Sequence, residues 1–156
     1  MLNHKPTTAV DPDPGQAGDA PLVDAHAHVF DRTTPLAETA WHRPAAEAPL
    51  AAYMAELDAA GVHFAVLAAA SIFGDYNDHM LAAVAGQPRL RTTVILRPDT
   101  DPARLRDLDQ AGVVGIRLQL RNVAAPPDLD SFDYRCLFRR IADLGWHVHL
   151  HDEGDR

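Results

Sequence analysis

Leu22–Phe30 reads LVDAHAHVF, in which apolar residues alternate with Asp24, His26 and His28. A period of two marks a strand, whose successive side chains leave on opposite faces. On that reading Asp24, His26 and His28 share one face, and Val23, Ala25, Ala27 and Val29 take the other. Two imidazoles two positions apart on a strand can both reach one divalent cation, at about 2.0–2.1 Å from nitrogen to zinc. The plain alternative is a pair of buried histidines with ordinary hydrogen-bond partners. Valine or isoleucine would pack better at both positions, so a metal site is the sharper reading.

Outward from this stretch, short apolar runs alternate with helix-like segments. Residues 21–29, 63–71 (HFAVLAAAS), 90–96 (LRTTVIL), 113–120 (VVGIRLQL) and 146–151 (WHVHLH) read as strands. Between them, residues 50–60 place Leu50, Tyr53, Met54 and Leu57 at helical spacing, and residues 77–85, 102–111 and 132–144 read as three further helices. Asp99, Thr100 and Asp101 offer an N-cap for the third helix. Gly61, Gly86, Gly112 and Gly145 each stand where a helix stops and the next strand is about to begin, the position of a left-handed C-cap. Crossovers of this length imply parallel pairing. An open doubly wound sheet and a partial (β/α)8 barrel of about four βα units plus a fifth strand both fit. A dinucleotide-binding sheet would announce itself with a glycine-rich first turn. The turn here, VFDRTTPLAET, has no glycine, which favours the barrel.

Composition narrows the setting. The chain has 156 residues and a net charge of −8, which disfavours attraction to a nucleic-acid backbone or an anionic membrane. Residues 1–20 are rich in proline, glycine and aspartate without apolar periodicity, so a flexible tail is expected, with one domain over 21–156. Cys136 is the only cysteine and no signal-like or membrane-length apolar run occurs, so a soluble, cytoplasmic protein is the expectation.

The VDAHAHVF strand resembles the first strand of the amidohydrolase superfamily. Together with GVHFAVLAAAS, LRTTVIL, AGVVGIRLQL and LGWHVHLH, taken in order, it is similar to the amidohydrolase-related branch. That branch contains 2-pyrone-4,6-dicarboxylate hydrolases and related lactonases and decarboxylases. The resemblance runs over roughly residues 21–151 and is most specific at the first strand. It implies that His26 and His28 ligate one divalent metal, zinc by preference. It implies a further histidine from the end of the fifth strand, for which His151 is the first choice, His149 the second and His147 the least favoured. Binuclear relatives bridge two metals with a carbamylated lysine on strand four. Here Lys5, in the tail, is the only lysine, and strand four has Arg117 and Gln119 on the face expected to point inward, so a single metal or none fits better.

Arg117 and Arg121 are the expected binders of a small anionic substrate, because a planar guanidinium grips a carboxylate with two parallel hydrogen bonds. Arg97 is a weaker candidate of the same kind. His63 is expected to be structural, His79 to face solvent, His42 and Trp41 to sit in a loop that covers the site, and Cys136 to be core. Ser71 is placed to touch substrate, and His4 belongs to the tail.

A complete barrel takes about 250 residues, and residues 21–156 are little more than half of that. The family's catalytic aspartate, expected at the end of strand eight, has no counterpart, and Asp152 and Glu153 lie on the wrong strand. The expected function is therefore a metal-dependent hydrolase of a small anionic lactone or cyclic carboxylate, present as an N-terminal fragment. The alternatives are a catalytically incomplete metal-binding or interaction module, or a decarboxylase of the same family. A missing C-terminal half or a homo-oligomer would be the partner that completes it.

Overall fold

The computed structural model describes residues 20–121, 123 and 125–152, so the expected tail lies outside the described residues except for Ala20, and so does Glu153. Five strands, β1 (Val23–Ala27), β2 (Phe64–Leu67), β3 (Leu90–Val94), β4 (Val113–Gln119) and β5 (His147–His151), alternate with four helices. The helices are α1 (Leu50–Ala59), α2 (Asp78–Val84), α3 (Pro102–Gln110) and α4 (Phe132–Asp143). All pairings are parallel and the sheet order is β1-β2-β3-β4-β5. A doubly wound sheet must reverse its strand order at a switch point. This order never reverses, so the winding is that of a barrel, and five strands make a half-barrel.

The four expected C-cap glycines have φ of 66°, 70°, 95° and 72° at Gly61, Gly86, Gly112 and Gly145. Without a β-carbon, glycine turns the chain there from helix to strand at little steric cost. Of the three candidate N-caps for α3, Asp101 does the capping, accepting from the Ala103 N–H at 2.6 Å. Asp99 pairs instead with Arg97, and Thr100 Oγ1 donates to the Arg97 carbonyl.

Apolar side chains on the outer face of the sheet meet the helices in two clusters. Leu57, Met80, Ala65, Leu67 and Leu90 form one, and Leu105, Leu108, Val113, Ile116, Leu137 and Ile141 the other. Asn77 ties the start of α2 to the end of β3, exchanging hydrogen bonds with the Ile95 N–H and C=O. Trp146 Nε1 donates to Asp109 across the bottom of the second cluster.

Two irregularities break strict alternation. Asp24 pairs with Ala65 and Ala27 with Leu67, so β1 has two residues, Ala25 and His26, where β2 has only Val66. A bulge of this kind adds a residue and re-aims those beyond it. Its consequence corrects the expected face assignment. Asp24 is turned to the helical side, where Tyr53 Oη on α1 donates to its Oδ2 at 2.8 Å, while His26 is turned inward. The other Asp24 oxygen accepts the His26 N–H at 3.0 Å, satisfying a donor that the bulge takes out of the ladder. In β4, Val113 and Ile116 both reach the outer cluster although three residues apart, because Val114 is the extra residue of a second register shift. Beyond it Arg117 and Gln119 pair with His149 and His151.

Candidate active site on the inner face of the half-barrel

The rings of His26 and His28 meet edge to face with centroids 4.9 Å apart, and their Nε2 atoms are 3.3 Å apart. His28 Nδ1 lies 2.6 Å from the Ala68 carbonyl, which can only accept. That nitrogen therefore carries the proton, and Nε2 keeps its lone pair. Two imidazole nitrogens at this separation can each stand about 2.0–2.1 Å from one ion at a near-tetrahedral angle. A carbonyl on the far nitrogen is the usual outer-shell support for such a ligand. His149 brings a third ring, edge-on to His26 at 4.8 Å between centroids. No group of three metal-binding side chains gathers among the described residues, so they fit a metal as two of its ligands.

These imidazoles are held neutral, which is the state a ligand needs. Burial is the leading cause that lowers His26, His28, His149 and His151, and the Arg117 guanidinium lowers all four further. His149 is brought down to about 4.

Arg117 stands at the centre of this face and is only 5% exposed. Its Nη1 donates to the Ala69 carbonyl at 3.1 Å and its Nη2 to His151 Nδ1 at 2.9 Å. Its Nε is buried and has no partner among the described residues, and no carboxylate there pairs with it. Burial lowers its pKa, but a guanidinium stays charged in a protein. A buried cation without a counter-charge is costly. A cation of that kind with a spare Nε–H has the chemistry that suits an anion.

His151 is drawn by two β4 side chains at once. Besides Arg117 Nη2, Gln119 Oε1 lies 2.7 Å from its Nδ1. Gln119 Nε2 donates to the Arg121 carbonyl at 2.9 Å, which fixes which way the amide faces. So the three strand-five histidines do different things. His149 joins the His26 ring, and His151 joins Arg117 and Gln119. His147 lies over Gly115, where a β-carbon would stand 2.6 Å from the His147 carbonyl oxygen.

Other residues named from the sequence are placed elsewhere. Arg121 is exposed just beyond β4, with its N–H on the His151 carbonyl at 3.0 Å. Arg97 presents its fork to Asp99, both bonds 3.0 Å, at the exposed end of β3. His63 Nδ1 accepts the Leu22 N–H, a structural role. Trp41 and His42 lie exposed in the long β1–α1 loop, whose ends are tied by the Phe30–Ala48 bridge. Under that loop is a cavity of about 330 Å³ lined in part by Phe30, Arg32, Arg43 and Phe73, and none of the inner-face histidines lines it. Ser71 opens a short 3-10 turn, and Cys136 is half-buried. His79 does not face solvent as expected: its ring stacks on Tyr76 and meets Phe73 edge-on, and its two nitrogens are buried. The short helix α2 turns that residue toward the loop, which helical position alone could not show.

Sequence reasoning passed over the Ala68 and Ala69 carbonyls just after β2, and it put Gln119 on the inner face without giving it a role. Backbone carbonyls leave no residue-type signal. The role of Gln119 depends on its contact with His151, thirty-two positions away, which residue order does not show.

Comparison with known proteins gives the same setting. The model of a family described as amidohydrolase matches residues 23–154. No curated protein matches the chain. Among solved structures, a probable 2-pyrone-4,6-dicarboxylic acid hydrolase from Acinetobacter baumannii, with citric acid bound, superposes with a TM-score of 0.81 at 32% identity. That match covers 85% of this chain and 49% of the other. A protein from Pseudomonas putida carrying the same hydrolase name gives 0.74 at 39% identity, over 83% and 48%. An Agrobacterium tumefaciens protein at 21% identity gives 0.72 over 88% and 50%, a likeness of fold. The chain spans about half the length of each.

Proposed function

The chain belongs to the amidohydrolase family, and from that membership we propose that it forms part of a hydrolase acting on a small anionic lactone or cyclic carboxylate. The observation that carries this reading is Arg117, a buried cation with an unpartnered Nε beside a cluster of neutral imidazoles. One carboxylate accepting from Nε and Nη2 would neutralise it with the geometry that guanidinium and carboxylate share. Arg121, beyond the end of β4, would take a second carboxylate. The names of two structural relatives, at 32% and 39% identity, point to a cyclic dicarboxylate of this kind.

A divalent ion, zinc by its affinity for imidazole nitrogen, would be held by His26 and His28, and when bound it would supply an acidified water and a polarised carbonyl. The chain's own residues orient and insulate. Ala68 fixes the His28 tautomer, Arg117 anchors the substrate, and the rings of His26 and His149 keep one wall of the site neutral. Asp24 is the only acid in the five strands, and it is turned toward α1. The proton acceptor for an attacking water must then be an imidazole of this face or a group from beyond the five strands.

Two titrations and one assay test this. Zinc binding followed by calorimetry should disappear in His26→Ala and His28→Ala. Citrate or pyrone dicarboxylate binding should weaken about 100-fold in Arg117→Leu, the loss of ~3 kcal/mol for a bidentate charged pair. Lactone ring opening, read by loss of the pyrone absorbance, marks a hydrolase. Release of carbon dioxide would make it a decarboxylase, and binding without turnover a module.

A further inference from the structure

We propose that Thr93 is a positioning residue for the anion site: its hydroxyl ends the β2–β3 ladder early and so leaves the Ala69 carbonyl to Arg117. The inference rests on the reading of Arg117 as the anion site and says what aims its guanidinium. Thr93 is buried in β3, where valine would pack as well, so its hydroxyl is the part that needs a reason. The last paired residues of the two strands are Leu67 and Thr92. Parallel strands exchange evenly spaced bonds, so this register carried two residues on would set Ala69 against Val94. The Ala69 N–H would then donate to the Thr93 carbonyl, and the Ile95 N–H to the Ala69 carbonyl. Side chains take both donors instead. Thr93 Oγ1 accepts the Ala69 N–H at 3.0 Å, and Asn77 Oδ1 accepts the Ile95 N–H at 3.0 Å.

The outcome is a two-residue junction whose donors face the scaffold and whose acceptors face the site. The Ala68 N–H donates to the Ala27 carbonyl of β1 at 2.8 Å, and the Ala68 carbonyl meets His28. Ala68 C=O and Ala69 N–H belong to one planar trans peptide and point opposite ways, so the Thr93 bond also steadies the carbonyl on His28. The Ala69 carbonyl, left without a strand partner, accepts from Arg117 Nη1 at 3.1 Å. With Nη1 pinned there and Nη2 on His151, the guanidinium is fixed in one pose before any anion arrives. With valine at position 93, the Ala69 N–H would fall back on the Thr93 carbonyl and the ladder would run on. The Ala69 carbonyl would then turn to β3, and Arg117 would lose its anchor.

The test compares Thr93→Val, nearly the same shape without the hydroxyl, with Thr93→Ser, which keeps it. Ile141→Val, which thins the outer core, controls for lost stability. Citrate affinity by calorimetry should fall about tenfold in Thr93→Val and stay within about threefold of wild type in the other two. Citrate-free protein labelled with ¹⁵N gives a second reading, because a guanidinium pinned at Nη1 rotates slowly and shows its two Nη signals apart. The Arg117 signals, assigned by their loss in Arg117→Leu, should be separate in wild type and Thr93→Ser and merged in Thr93→Val. Unchanged citrate affinity in Thr93→Val overturns the proposal and leaves the anion site standing. An equal loss in Ile141→Val overturns it as general loosening. Failure of wild type to bind citrate overturns the anion site, and the Arg117 signals then decide whether Thr93 aims the guanidinium. Should Thr93→Val fail to fold by circular dichroism, Asn77→Ser decides. It withdraws the acceptor from Ile95, whose N–H should reclaim the Ala69 carbonyl and merge the Arg117 signals; signals that stay separate overturn the proposal.

Discussion

Replacing Arg117 with leucine separates two effects that usually travel together. The wild-type side chain is 5% exposed, charged, and paired with no carboxylate among the described residues. Exchanging a poorly compensated buried ion for an apolar side chain is often neutral or stabilising, by about 1–4 kcal/mol. Loss of its bond to the Ala69 carbonyl offsets part of that, about 1 kcal/mol. Arg117→Leu is therefore expected to unfold at equal or higher urea concentration while losing citrate binding, and a large drop in the midpoint would show Arg117 to be structural. The histidines predict a pH dependence of definite sign. His149 has a folded pKa of about 4 against an ordinary 6.5, because burial and then Arg117 disfavour the charged ring. The unfolded chain thus binds more protons between those values, so stability rises with pH across that window. It is fully present above about 6.5 and lost as pH falls toward 4, with His26, His28 and His151 pulling the same way. Urea midpoints measured from pH 7 to 4 should fall, and His149→Gln should flatten the slope.

The elements differ in how much of them could be read from residue order. All five strands and four helices lie within the stretches expected from periodicity, because apolar spacing and a terminal glycine report directly on backbone shape. Which way Asp24 points was not legible. A bulge leaves the apolar pattern of β1 intact and shows only in the pairing with β2, a contact between residues about forty positions apart. Asp24 is nonetheless what holds that bulge, through the His26 N–H and the Tyr53 hydroxyl. Those bonds, the His26 one first, hold its carboxyl below the usual carboxylate range. Asp24→Ala leaves both donors unmatched and should cost about 1–3 kcal/mol in chemical denaturation. It should also weaken zinc binding, since the His26 ring would lose its aim; unchanged zinc affinity would show that the bulge is held by pairing alone. In the same way Gly115 reads as an ordinary strand glycine until β5 is seen against it. The backbone of His147 approaches so closely that Gly115→Ala must push β4 and β5 apart, at about 1–3 kcal/mol, and should blur the Arg117–His151 contact.

At the scale of the whole molecule, the half-barrel has one well-covered face and two unfinished margins. Val148 and Leu150 are in register with Ile116 and Leu118, yet those β4 residues are buried while Val148 and Leu150 are 39% and 57% exposed. At the other margin Val23 and its partner Phe64 are 55% and 45% exposed. Among the described residues β1 and β5 also present one unpaired backbone edge each, a template for another strand. A closed barrel of this winding has eight strands, with number, tilt and stagger linked, so three more strands fill the gap from β5 round to β1. A second copy brings five and cannot close the same barrel, but it can still cover the apolar margins. The chain by itself is thus expected to be poorly soluble or to run as an oligomer of irregular stoichiometry. Light scattering behind size-exclusion chromatography checks this, and a stable 17.0 kDa monomer would show that the margins need no cover. Leu150→Lys, which charges the outer margin of β5 without touching the inner face, should shift the population toward monomer. Co-expression with the C-terminal half of the Pseudomonas putida relative should instead give a one-to-one complex, because only that half offers the right number of strands.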